Sequence, residues 1–71
     1  MTLHDAEIGK EYTVTAVQVE DEELSAFLFS LGLYVGERIS LISRRKGGLI
    51  LSIKDGRYSV DNALARAISV Q

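Results

Sequence analysis

The stretch Glu22–Gly36, EELSAFLFSLGLYVG, constrains the fold of this chain more than any other. Leu24, Phe27, Leu28 and Leu31 fall at i, i+3, i+4 and i+7, a single stripe on an α-helix. A stripe of that kind is expected to face the core. Asp21 is placed to cap the helix, because its carboxylate can accept from an orphan amide of the first turn. Glu22 and Glu23 put negative charge where the helix dipole is positive. Gly32 can take the left-handed conformation that ends a helix without a Cβ penalty. Leu33, Tyr34 and Val35 then lead to a second glycine, Gly36, after which the pattern changes to strand.

Seventy-one residues leave room for one core, so residues 1–71 are read as a single domain. A domain of this size buries only about 60% of the surface of its unfolded chain, which makes its margin of stability small. At 46% hydrophobic it is too apolar for a disordered chain. Without cysteine it can form neither a disulfide framework nor a thiolate metal site, which fits a reducing compartment. The opening MTLHDAEIGKE has no basic segment followed by an apolar run, and no stretch approaches the roughly 20 apolar residues of a membrane span. A small soluble cytoplasmic domain is expected.

The net charge of −2 gives little electrostatic reason to bind nucleic acid. Its distribution is more informative. Residues 1–37 hold eight of the ten acids and one base, Lys10. Residues 38–71 hold seven bases (Arg38, Arg44, Arg45, Lys46, Lys54, Arg57 and Arg66) against Asp55 and Asp61. Either the two halves neutralise each other across the fold, or the surface has two poles that orient a charged partner.

In chain order, Thr2–Gly9 is a short lead-in anchored by Leu3 and Ile8. His4, with Asp5 and Glu7, is a conceivable oxygen-rich metal site, but three near neighbours in one flexible lead-in rarely converge on an ion, and no metal site is assigned. Glu11–Val19 is rich in β-branched residues and reads as a strand. The acidic run Glu20–Glu23 reads as a solvated helix start, since nothing nearby would shift paired carboxylates for acid–base work. Arg38–Ser43 is a second strand with Ile39 and Leu41 inward. Arg44-Arg45-Lys46-Gly47-Gly48 is a turn in which the glycines are expected to supply positive φ. Leu49–Ile53 returns as a strand, Lys54-Asp55-Gly56 makes a second hairpin, and Arg57–Val60 follows as a short strand. Asp61–Arg66 is one helical turn, and Ala67–Val70 closes the chain as a last strand. Five short strands with one inserted helix describe a small β-barrel whose closure hides strand edges, the helix plugging or flanking one opening.

Catalytic signatures are missing. There is no GxxxxGK[ST], no HExxH and no CxxC, and the lone histidine forms no set with serine and acid. The five aromatics are not interleaved with the basic run, as a single-strand binding barrel would require. These residues point away from an enzyme and toward a binding module.

Taken together, the residues resemble the FeoA family of small cytoplasmic components of bacterial ferrous iron transport. The resemblance rests on an apolar lead-in ending in glycine (Leu3 to Gly9), a helix ending in Leu31, Gly32 and Leu33 with Gly36 behind it, and the closing set Gly56, Val60, Ala65 and Ile68. It covers essentially the whole chain. Departures are Ala26 and Phe27 where family members often carry bases, Val35 where proline is common, and Asp61 and Asn62 where bases are common.

The resemblance implies a mostly β, SH3-like barrel with no cofactor. The implied partner is the membrane ferrous iron transporter with a cytosolic G-protein domain, which the chain would help to assemble or tune without binding nucleotide or iron. The alternative is an SH3-like regulatory or small-barrel nucleic-acid-binding domain, related to the C-terminal domain of metal-dependent repressors. The partner-binding residues expected are Phe29 and Tyr34 as apolar anchors, with Arg44, Arg45 and Lys46 as an orienting charge. Weak self-association is also compatible with this surface.

Overall fold

A computed structural model of the chain describes residues 1–71. A 3-10 turn at Leu3–Asp5 precedes strand β1 (Glu11–Val17), helix α1 (Glu22–Leu31), and strands β2 (Arg38–Arg45), β3 (Gly48–Ile53) and β4 (Gly56–Asp61). A one-turn helix, α2 (Asn62–Arg66), then leads into β5 (Ile68–Val70). The strands form one antiparallel sheet in the order β4-β3-β2-β1-β5.

Two irregularities curl this sheet. The first half of β1 pairs with β2 and its second half with β5, and the β1–β5 pairing shifts register between Val14 and Ala16. A second shift lies between Leu41 and Ser43 in β2. Irregularities of this kind add an unpaired residue, bend the strand and increase its twist. The curled sheet folds over its own inner side chains, among them Val14, Leu41, Leu51, Val60 and Ile68, all buried. Tyr12 is buried with its ring in the core, and its hydroxyl accepts from the Glu7 amide at 2.9 Å. The free side of β5 is covered by the lead-in, where Thr2 bridges to Ser69 and the Val70 amide donates to the Met1 carbonyl. Asp61 caps α2 through the Leu64 amide at 2.7 Å, and Ala65 of α2 is fully buried. The outer edge of β4 pairs with no strand.

The caps of α1 are those expected. Asp21 Oδ1 accepts from the Glu23 and Leu24 amides at 2.9 and 3.1 Å, and Gly32 closes the helix at φ 97°. Its apolar stripe is not. Leu28 is 2% exposed, but Leu24 is 37% and Phe27 57% exposed, and Leu31 is only half-buried. The helix is tied to the barrel through Leu28 and the following Leu33 and does not lie across it. The strand residues already fill the core, so half of the stripe has nothing to cover it.

Smaller corrections follow from the same geometry. Ile8 is exposed, and Ala6 takes the buried place in the lead-in beside Leu3. Ile8 bridges to Leu41 through its backbone, which turns its side chain outward. Neither Gly47 nor Gly48 has positive φ. Gly48 is needed for another reason, because a Cβ there would collide with the Val60 carbonyl across the β3–β4 pair. In the second hairpin the positive φ falls on Lys54, at 53°. Strand β1 ends at Val17, two residues before the expected Val19.

Leu28→Ala should destabilise the domain by about 2–5 kcal/mol in urea unfolding followed by circular dichroism, whereas Leu24→Ala should fall within about 0.5 kcal/mol of wild type. Equal losses would mean that the outer helix face is covered after all.

Candidate partner-docking site

The exit of α1 builds the most organised surface of the molecule. After Gly32 the chain turns, Leu33 drops into the core, and Tyr34 comes to lie against Phe29 with ring centroids 4.8 Å apart and planes tilted by 36°. Offset and tilted aromatic pairs of this separation attract beyond their area of contact. Lys54, from the β3–β4 turn, donates to the Tyr34 hydroxyl at 3.1 Å, with its ammonium 5.5 Å from the ring centroid. The same ammonium lies 3.3 Å from Glu37. Tyr34 is therefore held by the helix on one side and by the hairpin turn on the other. Gly32 serves both ends of this arrangement, since its φ suits glycine and a Cβ would come within 2.9 Å of the Lys54 side chain.

Electrostatics reinforce the link. The Glu37 carboxyl is held below its usual range, chiefly by the Arg38 amide that donates to it at 3.1 Å, then by Tyr34 and Lys54. The Lys54 ammonium is held above its usual range by hydrogen bonding to Tyr34 first and to Glu37 second. These are surface interactions, so each is individually weak.

Phe29 is 65% exposed and stands between two hollows. The larger, of about 490 Å³, is lined by Val19, Glu20, Glu22, Ser25, Ala26 and Phe29. The smaller, of about 160 Å³, lies among Val17, Leu33, Tyr34 and Val35 on the other side of Ser25 and Phe29. The result is an apolar surface with an acidic rim at the helix start. It offers apolar and aromatic side chains for packing and carboxylates for hydrogen bonding.

Of the five residues expected to bind a partner, the structure brings Phe29 and Tyr34 together. Arg44, Arg45 and Lys46 lie at the opposite end of β2, about 23 Å of extended strand away from Arg38 at the α1 exit. Arg44 is also engaged, its guanidinium donating to the Ala6 carbonyl. Arg45 and Lys46 form no ion pair. Lys54 and Glu37 were not singled out by sequence reasoning, although a turn lysine at positive φ is unusual enough to have drawn notice had its conformation been legible. His4 Nδ1 lies 3.9 Å from Asp5, and no three His, Cys, Asp or Glu side chains gather as a metal-binding group.

A family model described as the FeoA domain matches residues 1–71. The chain belongs to the FeoA family. Among solved structures, the FeoA protein from Chlorobium tepidum aligns over 100% of this chain and 69% of its own, with TM-score 0.90 and 19% identity. The zinc complex of Stenotrophomonas maltophilia FeoA aligns over 100% of this chain and 89% of its own, with TM-score 0.84 and 20% identity. That protein is described as a prokaryotic SH3 domain protein with a suggested role as an activating factor of ferrous iron transport. A manganese-dependent transcriptional repressor in complex with manganese aligns over 100% of this chain and 35% of its own, with TM-score 0.86 and 23% identity. At these identities the likeness establishes the fold, and the SH3-like barrel implied by the resemblance is the fold observed. No curated protein sequence matches the chain. No helix is long and apolar enough to cross a membrane.

Because the Glu37 pKa is depressed in the folded state, its contribution to stability is present above the ordinary value of 4.5 and is lost as pH falls through the lower folded value. The difference in urea midpoint between wild type and Glu37→Gln should therefore be constant near neutrality and shrink on acidification below about 4.5. A difference that persists unchanged at lower pH would show that charge at Glu37 contributes nothing.

Proposed function

We propose that this chain is a non-catalytic accessory module of bacterial ferrous iron uptake, docking on the membrane ferrous iron transporter from the side of its cytosolic G-protein domain. Membership of the FeoA family supports the transport role. The observation that carries the docking surface is the Phe29–Tyr34 pair, an exposed Phe29 resting on a half-buried Tyr34 that Lys54 fixes in place. An aromatic anchor held rigid before binding loses little conformational freedom on docking, which favours affinity. The hollows on either side of Phe29 offer room for apolar side chains of the partner. Arg45 and Lys46, unpaired at the far hairpin, supply the orienting charge, while Arg44 is occupied by the Ala6 carbonyl. The site stabilises an assembly and holds neither nucleotide nor iron.

Titrating isotope-labelled protein with the transporter's cytosolic domain, with and without guanine nucleotide, should move the amide resonances around Phe29, Tyr34 and Lys54. Phe29→Ala and Tyr34→Ala should each weaken binding by about tenfold or more, the behaviour of central anchors. Binding unchanged in both variants would place the contact elsewhere.

The likeness to the manganese-dependent repressor supports a second reading, an SH3-like regulatory or nucleic-acid-binding domain working through Arg45 and Lys46. Phosphate contacts made by two or three bases would weaken steeply with added salt. On the transport reading, neither DNA nor RNA is retarded by the protein in low-salt gels; salt-sensitive retardation lost in Arg45→Ala would favour the second.

A further inference from the structure

We propose that this chain associates with copies of itself head to tail, the outer face of α1 of one copy seating in a basic groove on the β2–β4 face of the next. The two surfaces lie on different elements and are complementary in both shape class and charge. On α1, Phe27 neighbours both Leu24 (i−3) and Glu23 (i−4) in one strip, with Glu20 just before the helix and all four exposed. On the sheet, a groove of about 340 Å³ has Ile42, Ile50 and Tyr58 as its apolar floor and Arg45 and Arg57 on its rim.

The charges at both surfaces are free. The ion pairs of the molecule join Arg38 to Glu11 and Lys54 to Glu37, and His4 stands 3.9 Å from Asp5. Glu20, Glu22 and Glu23 have no basic partner within the chain, and neither Arg45 nor Arg57 has an acidic one. Within one molecule the strip does not reach the groove. Between two molecules, Phe27 and Leu24 meet an apolar floor while Glu20 and Glu23 meet two guanidinium groups. An amphipathic helix laid in a groove is a common recognition geometry, and opposite charges at its rim set register and encounter rate.

Because strip and groove are different surfaces, every copy keeps one of each after pairing. The contact is heterologous, so it extends to short open chains unless the rotation between copies happens to close a ring. Its extent is modest. A stable interface buries about 800 Å² on each partner, which is a large share of the 4526 Å² surface of this molecule. One helix face in one groove covers less than that, and the association is weak, reversible and sensitive to salt.

Sedimentation velocity of the full chain over a range of concentrations tests this without any transporter component, so its outcome is independent of the docking reading above. The weight-average mass should rise with concentration in low salt and fall back toward that of the monomer in high salt. Phe27→Glu removes the strip, and the double variant Arg45→Glu with Arg57→Glu removes the groove; each alone should remain monomeric. Glu23→Lys serves as a milder lesion of the strip if circular dichroism shows Phe27→Glu to be unfolded. An equimolar mixture of the strip variant and the groove variant retains one intact surface on each molecule, and should form a one-to-one dimer that grows no further. A monomer at every concentration, association untouched by the variants or by salt, or a mixture that stays monomeric would each overturn the proposal.

Discussion

The structure depends on β1 pairing with two partners. Its Glu11–Thr13 half pairs with β2, and its Val14–Val17 half pairs with β5, with a register shift between Val14 and Ala16 inside the second pairing. β2 lies along one edge of β1 and β5 along the other, the two sets of bonds overlapping at Thr13 and Val14, and the extra residue between Val14 and Ala16 bends β1 within its pairing to β5. With β5 on that second edge, the last strand of the chain lies beside the first, and the strand side chains converge. Tyr12 and Val14, one from each half, are buried. The α1 exit is attached to the same strand, since the Gly36 amide donates to the Val14 carbonyl at 2.8 Å and the Val14 amide donates to the Glu37 carbonyl at 2.9 Å. Core and helix exit therefore share one short segment.

A barrel that fills itself in this way has little use for a helix as filler. The buried cluster contains Leu28 as its one residue from α1, with Leu33 following from the exit loop. The rest of the α1 stripe is left over, and Phe27 and Phe29 remain more than half exposed. Large apolar side chains grouped on the surface of so small a protein mark a place where something else packs. The Lys54 link to Tyr34 and Glu37 matters for this, because it fixes the α1 exit, and with it the bearing of Phe29, against the β3–β4 turn.

The elements and their order were legible in the sequence, for reasons tied to local chemistry. Asp21 and Asp61 cap helices through their own side chains, and Gly32 ends α1 by its conformation, all within a few residues. Inward Ile39 and Leu41 follow from simple alternation along β2. What periodicity could not show is whether a face is covered. Leu24 and Leu28 lie four residues apart on the same stripe, yet one is exposed and the other buried, because only the C-terminal turn of α1 meets the barrel. Gly48 was legible as a glycine the hairpin needs, but the cause is the Val60 carbonyl on a neighbouring strand, a contact between distant parts of the chain. Tyr34 was legible as a surface aromatic, while its partner Lys54 is twenty residues away and carries no local signal.

The charge pattern shows the same division between local and distant causes. Acids in the first half and bases in the second could have cancelled across the fold, but the ion pairs that form leave the ends of that pattern untouched. Glu20, Glu22 and Glu23 stay unpaired at the start of α1, and Arg45 and Lys46 stay unpaired at the β2–β3 hairpin. The molecule measures 29 × 24 × 22 Å, whereas screening in physiological salt acts over about 8 Å. At that ionic strength the two charged regions do not act as one dipole steering a partner from afar. Each acts locally, on whatever touches it, beside its own apolar surface: Phe27 and Phe29 for the acids, Ile42 and Ile50 for the bases. A partner that feels both must bridge them physically, and one that carries only one sign of charge will select a single end of the molecule.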